Sequence, residues 1–173
     1  MLAFWRAAGR EKWYTKDSDF DAEITRRFLP TYEAAVAGHL SHWEDTPEGA
    51  LALVIVLDQF ARNMFRGSAR TFAADALARA AADRVIRRGF DRRVATQERQ
   101  FVYIPFEHSE DPADQERSVA LFRANDDAEA LKWAELHADV IRRFGRFPHR
   151  NAILERATTP AEQTFLDSGG FAG

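Results

Sequence analysis

The sequence predicts an all-α fold, and three observations carry that prediction. A capping residue followed by proline, the signal of a helix start, recurs at Thr46-Pro47, Asp111-Pro112 and Thr159-Pro160. Apolar residues repeat at three- and four-residue spacing over long stretches. No stretch alternates apolar and polar residues with strand-type composition. Short connections between the periodic stretches favour antiparallel neighbours. The expectation is therefore a single domain of about seven antiparallel-packed helices, either a helical-hairpin superhelix or an irregular bundle.

The elements follow in order. A first helix over 18–38 buries Phe20, Ile24 and Phe28 on one stripe, with Pro30 inside it expected to kink or interrupt it. A second, over 47–65, begins ALALVIVL, apolar all round, which marks a central element covered on every side. An alanine-rich third helix over 69–88 carries Phe72, Leu77 and Val85 and stops at Gly89. The fourth, over 96–105, carries Phe101 and Ile104 and should be disturbed at Pro105. Two more span 112–125 and 127–144; in the latter Trp133, His137, Val140, Ile141 and Phe144 share a face, and Gly145 ends it. The last, over 160–167, opens on the capping box Thr159-Pro160-Ala161-Glu162.

Composition narrows the function classes. The 173 residues are 46% apolar and 29% charged, the balance of a globular chain. A net charge of −3 and the lack of a basic stripe give no pull toward nucleic acid or an anionic membrane. There is no cysteine, which excludes disulfides, thiolate catalysis and cysteine-ligated zinc. The longest apolar run, Ala50 to Leu57, is far short of the ~20 residues that span a bilayer. The opening MLAFWRAAGREKW lacks the apolar core of a secretory signal, so a cytoplasmic location is expected. The basic residues are nearly all arginine, with lysine only at Lys12, Lys16 and Lys132. Arginine stays charged and grips carboxylate or phosphate in two-pronged fashion.

Three segments, LVIVLDQFARNMFRGSARTFAAD, RQFVYIPFEHSED and RRFGRFPHRNAILERATTPAEQTFL, together with FDAEITRRF near the start, resemble the bacterial family known as domain of unknown function 924. The resemblance runs over most of the chain. It implies a tetratricopeptide-like helical fold and carries no activity. Where this chain has Ala61 the family usually has proline, so a more regular central helix is expected here. Where it has Glu155 the family usually has glycine, which puts a tight turn there in question. Arg6 stands where a second aromatic is common beside Phe4-Trp5.

Polar residues occupy places where a helical core would be apolar. Asp58, Gln59, Arg62 and Asn63 cover about 140° of one helix, on a face that Leu51 and Ile55 begin. Asp58 and Arg62, four apart, can pair along it. Glu107-His108-Ser109-Glu110 sets a carboxylate beside an imidazole, a pairing that tunes a general base near neutral pH. Successive residues on a helix point about 100° apart, so the two share a site only if Pro105 breaks the helix. His137 lies on the apolar stripe of its helix. In Arg143-Phe144-Gly145-Arg146-Phe147-Pro148-His149-Arg150 the charges alternate with aromatics around a helix stop. Such a loop either holds an anion or turns inward to neutralise Asp58, Glu107 and Glu110.

The histidines form no HExxH pair and no Glu-x-x-His repeat, and the arginines would repel a cation; no metal or cofactor is implied. Ser109 beside His108 lacks the strained elbow of a hydrolase nucleophile. Three functions remain. The first is a binding module for an anionic peptide or small molecule, held by Asp58, Arg62, Asn63, Glu110, His137, Arg143, Arg146, His149 and Arg150. The second is a small-molecule enzyme with Glu107 or His108 as acid–base group and the arginines orienting an anionic substrate. In the third, the polar cluster is purely structural.

Overall fold

The computed structural model describes residues 1–171, and among them the chain is all-α with no strand. It divides into two compact units, Met1–Pro105 and the residues from Phe106 onward.

The first unit opens with α1 (Leu2–Trp13), a helix that no capping signal announces. Met1 caps it without a side-chain hydrogen bond, and Gly9 bends it at φ 71°. The helix exists because its aromatics dock on the next element. Phe4 stacks on Phe20 at 5.5 Å and packs on Phe28 at 5.2 Å, and fully buried Trp5 meets Phe60 and Phe101 edge-on. Helix α2 (Ser18–Val36) starts where Asp17 accepts from the N–H groups of Asp19 and Phe20. It runs through Pro30 without interruption.

The central helix begins at Pro47, with Thr46 accepting from the Gly49 N–H at 3.1 Å. Its α3 segment (Pro47–Ile55) buries every residue from Ala50 to Ile55, as expected of a covered element. A five-residue π-turn follows at Val56–Phe60, then α4 (Ala61–Met64). Ala61 in place of proline therefore does not give a regular helix: the irregularity sits just before it, and it carries Asp58 and Gln59 into the interior.

The expected helix over 69–88 is split. Thr71 donates to the Phe65 carbonyl at 2.5 Å and Ser68 accepts from the Arg70 N–H, which fixes a 3₁₀ turn at Ala69–Phe72. Helix α5 (Asp75–Arg87) follows and packs against α3. Helix α6 (Thr96–Glu107) continues through Pro105 to Glu107, and the division between the units falls after that proline.

In the second unit α7 (Pro112–Ala124) and α8 (Ala128–Phe144) are capped by Asp111 and Asp127, and a three-residue turn joins them as a helical hairpin. Gly145, at φ 69°, ends α8. The chain then turns through Phe147 and a 3₁₀ segment, Pro148–Arg150, to α9 (Pro160–Asp167), which has the full Thr159–Glu162 capping box. Val140, Ile141 and Phe147 form the buried centre here, with Phe144, Phe165 and Phe171 against it. Trp133, on the same predicted stripe, is exposed.

Candidate functional site

The predicted polar residues divide between the two units. In the first unit the π-turn places Asp58 at zero exposure. Its Oδ2 accepts from Gln59 Nε2 at 2.5 Å, and its Oδ1 lies 3.1 Å from Arg62 Nη1. Arg62 also donates to Asp75 from Nη1 and Nη2, at 3.0 and 3.3 Å. One guanidinium thus bridges two buried carboxylates. On the neighbouring face Asn63 donates to Asp21 at 2.7 Å, and Arg66 grips the same carboxylate with two hydrogen bonds. Asp21 and Asp75 are not legible as partners in the sequence, because α2 and α5 supply them across the fold, and Arg66, just past α4, gains its role only from Asp21.

In the second unit Glu107 lies on the last turn of α6 and faces His137, with Oε1 at 3.2 Å from Nδ1. That same Nδ1 lies 2.8 Å from the Trp133 carbonyl. Burial pushes the His137 ring down to about 3, outweighing the carbonyl that favours its proton, and His108 and Arg150 add to the depression. The ring is therefore neutral near pH 7, so its contact with Glu107 is not an ion pair. His108 follows the end of the helix; its carbonyl accepts from Arg150 at 3.0 Å and its ring meets that of His137 at 6.4 Å.

The arginine loop turns inward; of the carboxylates expected, it reaches Glu110 through the Phe147 N–H, and its Arg146 takes a different partner. Arg146 makes a two-pronged contact with Glu162 at 2.5 and 2.8 Å, and its Nη2 also donates to the Ala157 carbonyl. The hydrogen bond to Arg146 is the main cause that brings the Glu162 carboxyl down to about 2. Arg156, which no spacing pointed to, closes on both oxygens of Glu110 at 2.7 and 3.0 Å, and the Phe147 N–H donates to the same carboxylate. Burial opposes the charge on Glu110, yet Arg156 and that N–H hold its carboxyl below the ordinary range. Arg150 lies over the Phe147 ring at 4.5 Å. Arg143 stays half exposed, 3.5 Å from Asp139 and above the rings of Phe144 and Phe165.

His149 is the least supported member of the group. Its Nδ1 is buried with no hydrogen-bond partner, and burial pushes the ring down to about 4. Phe171 packs against it at 5.3 Å and against His137 at 4.3 Å. Among the described residues no group of three or more histidines and carboxylates is arranged to hold a metal ion. No helix of the described residues is long and apolar enough to cross a membrane.

A concave surface lies in the first unit, and none of the predicted site residues lines it. The C-terminal turns of α2, the 3₁₀ turn Ser41–Asp45, the central helix and α5 enclose a cleft of about 160 Å³. Its walls are apolar, with Leu53, Leu57 and Leu77 among them, and the Glu44–Arg84 ion pair stands at its edge.

Taken together these features define an all-α protein whose buried charges are neutralised in internal networks. The chain belongs to the family described as "Bacterial protein of unknown function (DUF924)", which matches residues 1–170. It is similar to a solved protein of unknown function from Agrobacterium tumefaciens, ATU0120, with 46% identity over 97% of this chain and 95% of that one, at a TM-score of 0.95. No curated protein matches it.

Proposed function

We propose that the protein is a binding module for an anionic peptide or small molecule, and that the buried polar networks are its scaffold. One observation carries this reading: Arg88 and Arg93 both lie over the ring of Phe90, at 4.3 and 5.2 Å, both are exposed, and among the described residues neither has a carboxylate partner. Arg88 donates only to the Glu44 backbone carbonyl. Two exposed guanidinium groups held by stacking, one of them also tied to a backbone carbonyl and neither paired with a carboxylate, are pre-organised to receive a carboxylate or phosphate. Arg146 and Arg156 are spent on Glu162 and Glu110. Of the expected cluster, Arg143 keeps half its surface in solvent.

The acid–base reading of Glu107 has less support. Its side chain faces a buried His137 whose ring burial pushes down to about 3, far from the neutral range that favours a general base. The test is a thermal-shift screen against inorganic phosphate, citrate and glutamate-rich peptides at low and high salt. A binding module gains stability with at least one of them, less so at high salt, and loses the gain in an Arg88→Glu, Arg93→Glu double variant. Absence of any shift across the panel would overturn the reading.

A further inference from the structure

The cleft beside those arginines suggests what the anion is attached to. Resting on the binding-module reading above, we propose that the cleft of the first unit docks a peptide segment that presents one aliphatic side chain next to carboxylates. Three features argue for this occupant.

The first is size. About 160 Å³ holds one leucine-sized group. It falls short of the roughly 300–1,000 Å³ that buries a whole metabolite-sized ligand. An anchor side chain of a longer chain lying across the surface fits the volume.

The second is the mouth. Val36 and Leu77 stand at its rim, each 43% exposed, so apolar surface is presented to solvent on both sides of the opening. Leu53 and Leu57 form buried walls. The turn that forms one side is firmly seated: Gly49 approaches it so closely that an added Cβ would collide with the Trp43 carbonyl. A preformed, partly apolar recess loses little on binding.

The third is charge. The Glu44–Arg84 pair, joined at 2.7 and 2.5 Å, is a shared wall. The aliphatic cleft lies on one side of it, and Arg88 and Phe90 pack near it on the other, where no open space remains. Five arginines lie within Arg84–Arg93 against one acidic residue there, Asp91, which already accepts from Tyr103 and sits beside Arg92. A chain with its leucine in the cleft would run its following residues over Arg88 and Arg93. Carboxylates at those positions complement them.

The experiment uses a fluorescein-labelled peptide of glycine, leucine and three glutamates, read by anisotropy against the full chain. Binding should weaken at least tenfold when the probe's leucine becomes alanine. It should weaken as much in Leu77→Glu, Val36→Glu and Arg88→Glu, and stay unchanged in Arg123→Glu. Leu77 and Val36 are exposed, and circular dichroism confirms that each variant remains helical. A probe that ignores all three cleft variants but is lost in Arg143→Glu overturns the cleft and moves the ligand to the second unit, leaving the binding reading intact. A probe that does not bind, with citrate or phosphate still shifting the melting temperature, overturns the peptide occupant alone. If no anion acts at all, both readings fall.

Discussion

Arg62 and Asp58, one helical turn apart on the irregular stretch of the central helix, meet at 3.1 Å with Asp58 wholly out of solvent. The same guanidinium reaches Asp75 on α5, so a single positive charge serves two carboxylates. Replacing Arg62 by alanine removes the guanidinium that both carboxylates share. The expected cost is about 3–5 kcal/mol, because a buried charge without its partner is far more costly than the pair. For a chain of this size that is a fall of about 10 °C in melting temperature. Asp58→Asn, which keeps a polar group while Arg62 retains Asp75, should cost distinctly less. Calorimetry of the two variants checks the order; equal losses would show that Asp58 alone carries the effect.

The difference between what the sequence reveals and what it hides is clear in this network. The Asp58–Arg62 contact was legible because four-residue spacing is a local rule of the helix. Asp75 was not, since a 3₁₀ turn intervenes and only packing of α5 on α3 brings it near. The capping box showed Glu162 as a cap, and the structure adds that Arg146 uses the same carboxylate. Arg156 lies 46 residues from Glu110, with no motif joining them. Helix α1 lacked any capping signal, so its aromatic docking is purely tertiary. The arginines of α5 and the turn after it were visible as letters, but their stacking on Phe90 required coordinates.

Glu155 adopts a left-handed backbone, φ 53°, a conformation that favours glycine. The tight turn is kept, with a side chain in a region that costs about 1–2 kcal/mol. Glu155→Gly should relieve most of that, offset in part by the greater freedom of glycine in the unfolded chain. A net gain of about 0.5–1 kcal/mol is expected, or about 1–4 °C in melting temperature. Glu155→Ala leaves φ unfavourable and should give no gain. If alanine stabilises as much as glycine, the charge and not the backbone is responsible.

The two depressed histidines set the pH dependence. A ring whose folded pKa lies below its unfolded value of 6.5 binds fewer protons in the folded chain, so stability is full above 6.5 and falls as pH drops. The loss continues to about 4 for His149 and about 3 for His137. Each ring contributes about 1.4 kcal/mol per pH unit in that window. The Glu162 carboxyl acts lower: its contribution is present above about 4.5 and vanishes as pH falls toward 2. His149→Phe removes one of the two rings along with a buried nitrogen that has no partner. It should be neutral or stabilising at pH 7.5 and should roughly halve the slope between pH 6.5 and 4 in urea unfolding. An unchanged slope would place the acid sensitivity elsewhere.

Phe171 provides the packing that keeps those rings dry. It lies 4.3 Å from His137 and 5.3 Å from His149, with the ring of Phe147 at 6.2 Å. Desolvation is the leading cause of depression for both histidines, so opening this cover should act on them directly. In Phe171→Ala, water reaches the exposed edges and both pKa values should rise toward 6.5, with His137 moving further because Phe171 packs closer to it. The imidazole carbon-bound protons, followed by NMR from pH 8 to pH 4, report each ring separately. The acid limb of the stability curve should become shallower in the same variant, even as overall stability falls by about 2–4 kcal/mol from the lost aromatic. Rings that still titrate at their original values without Phe171 would mean that α8 and the 148–150 segment alone exclude water from them.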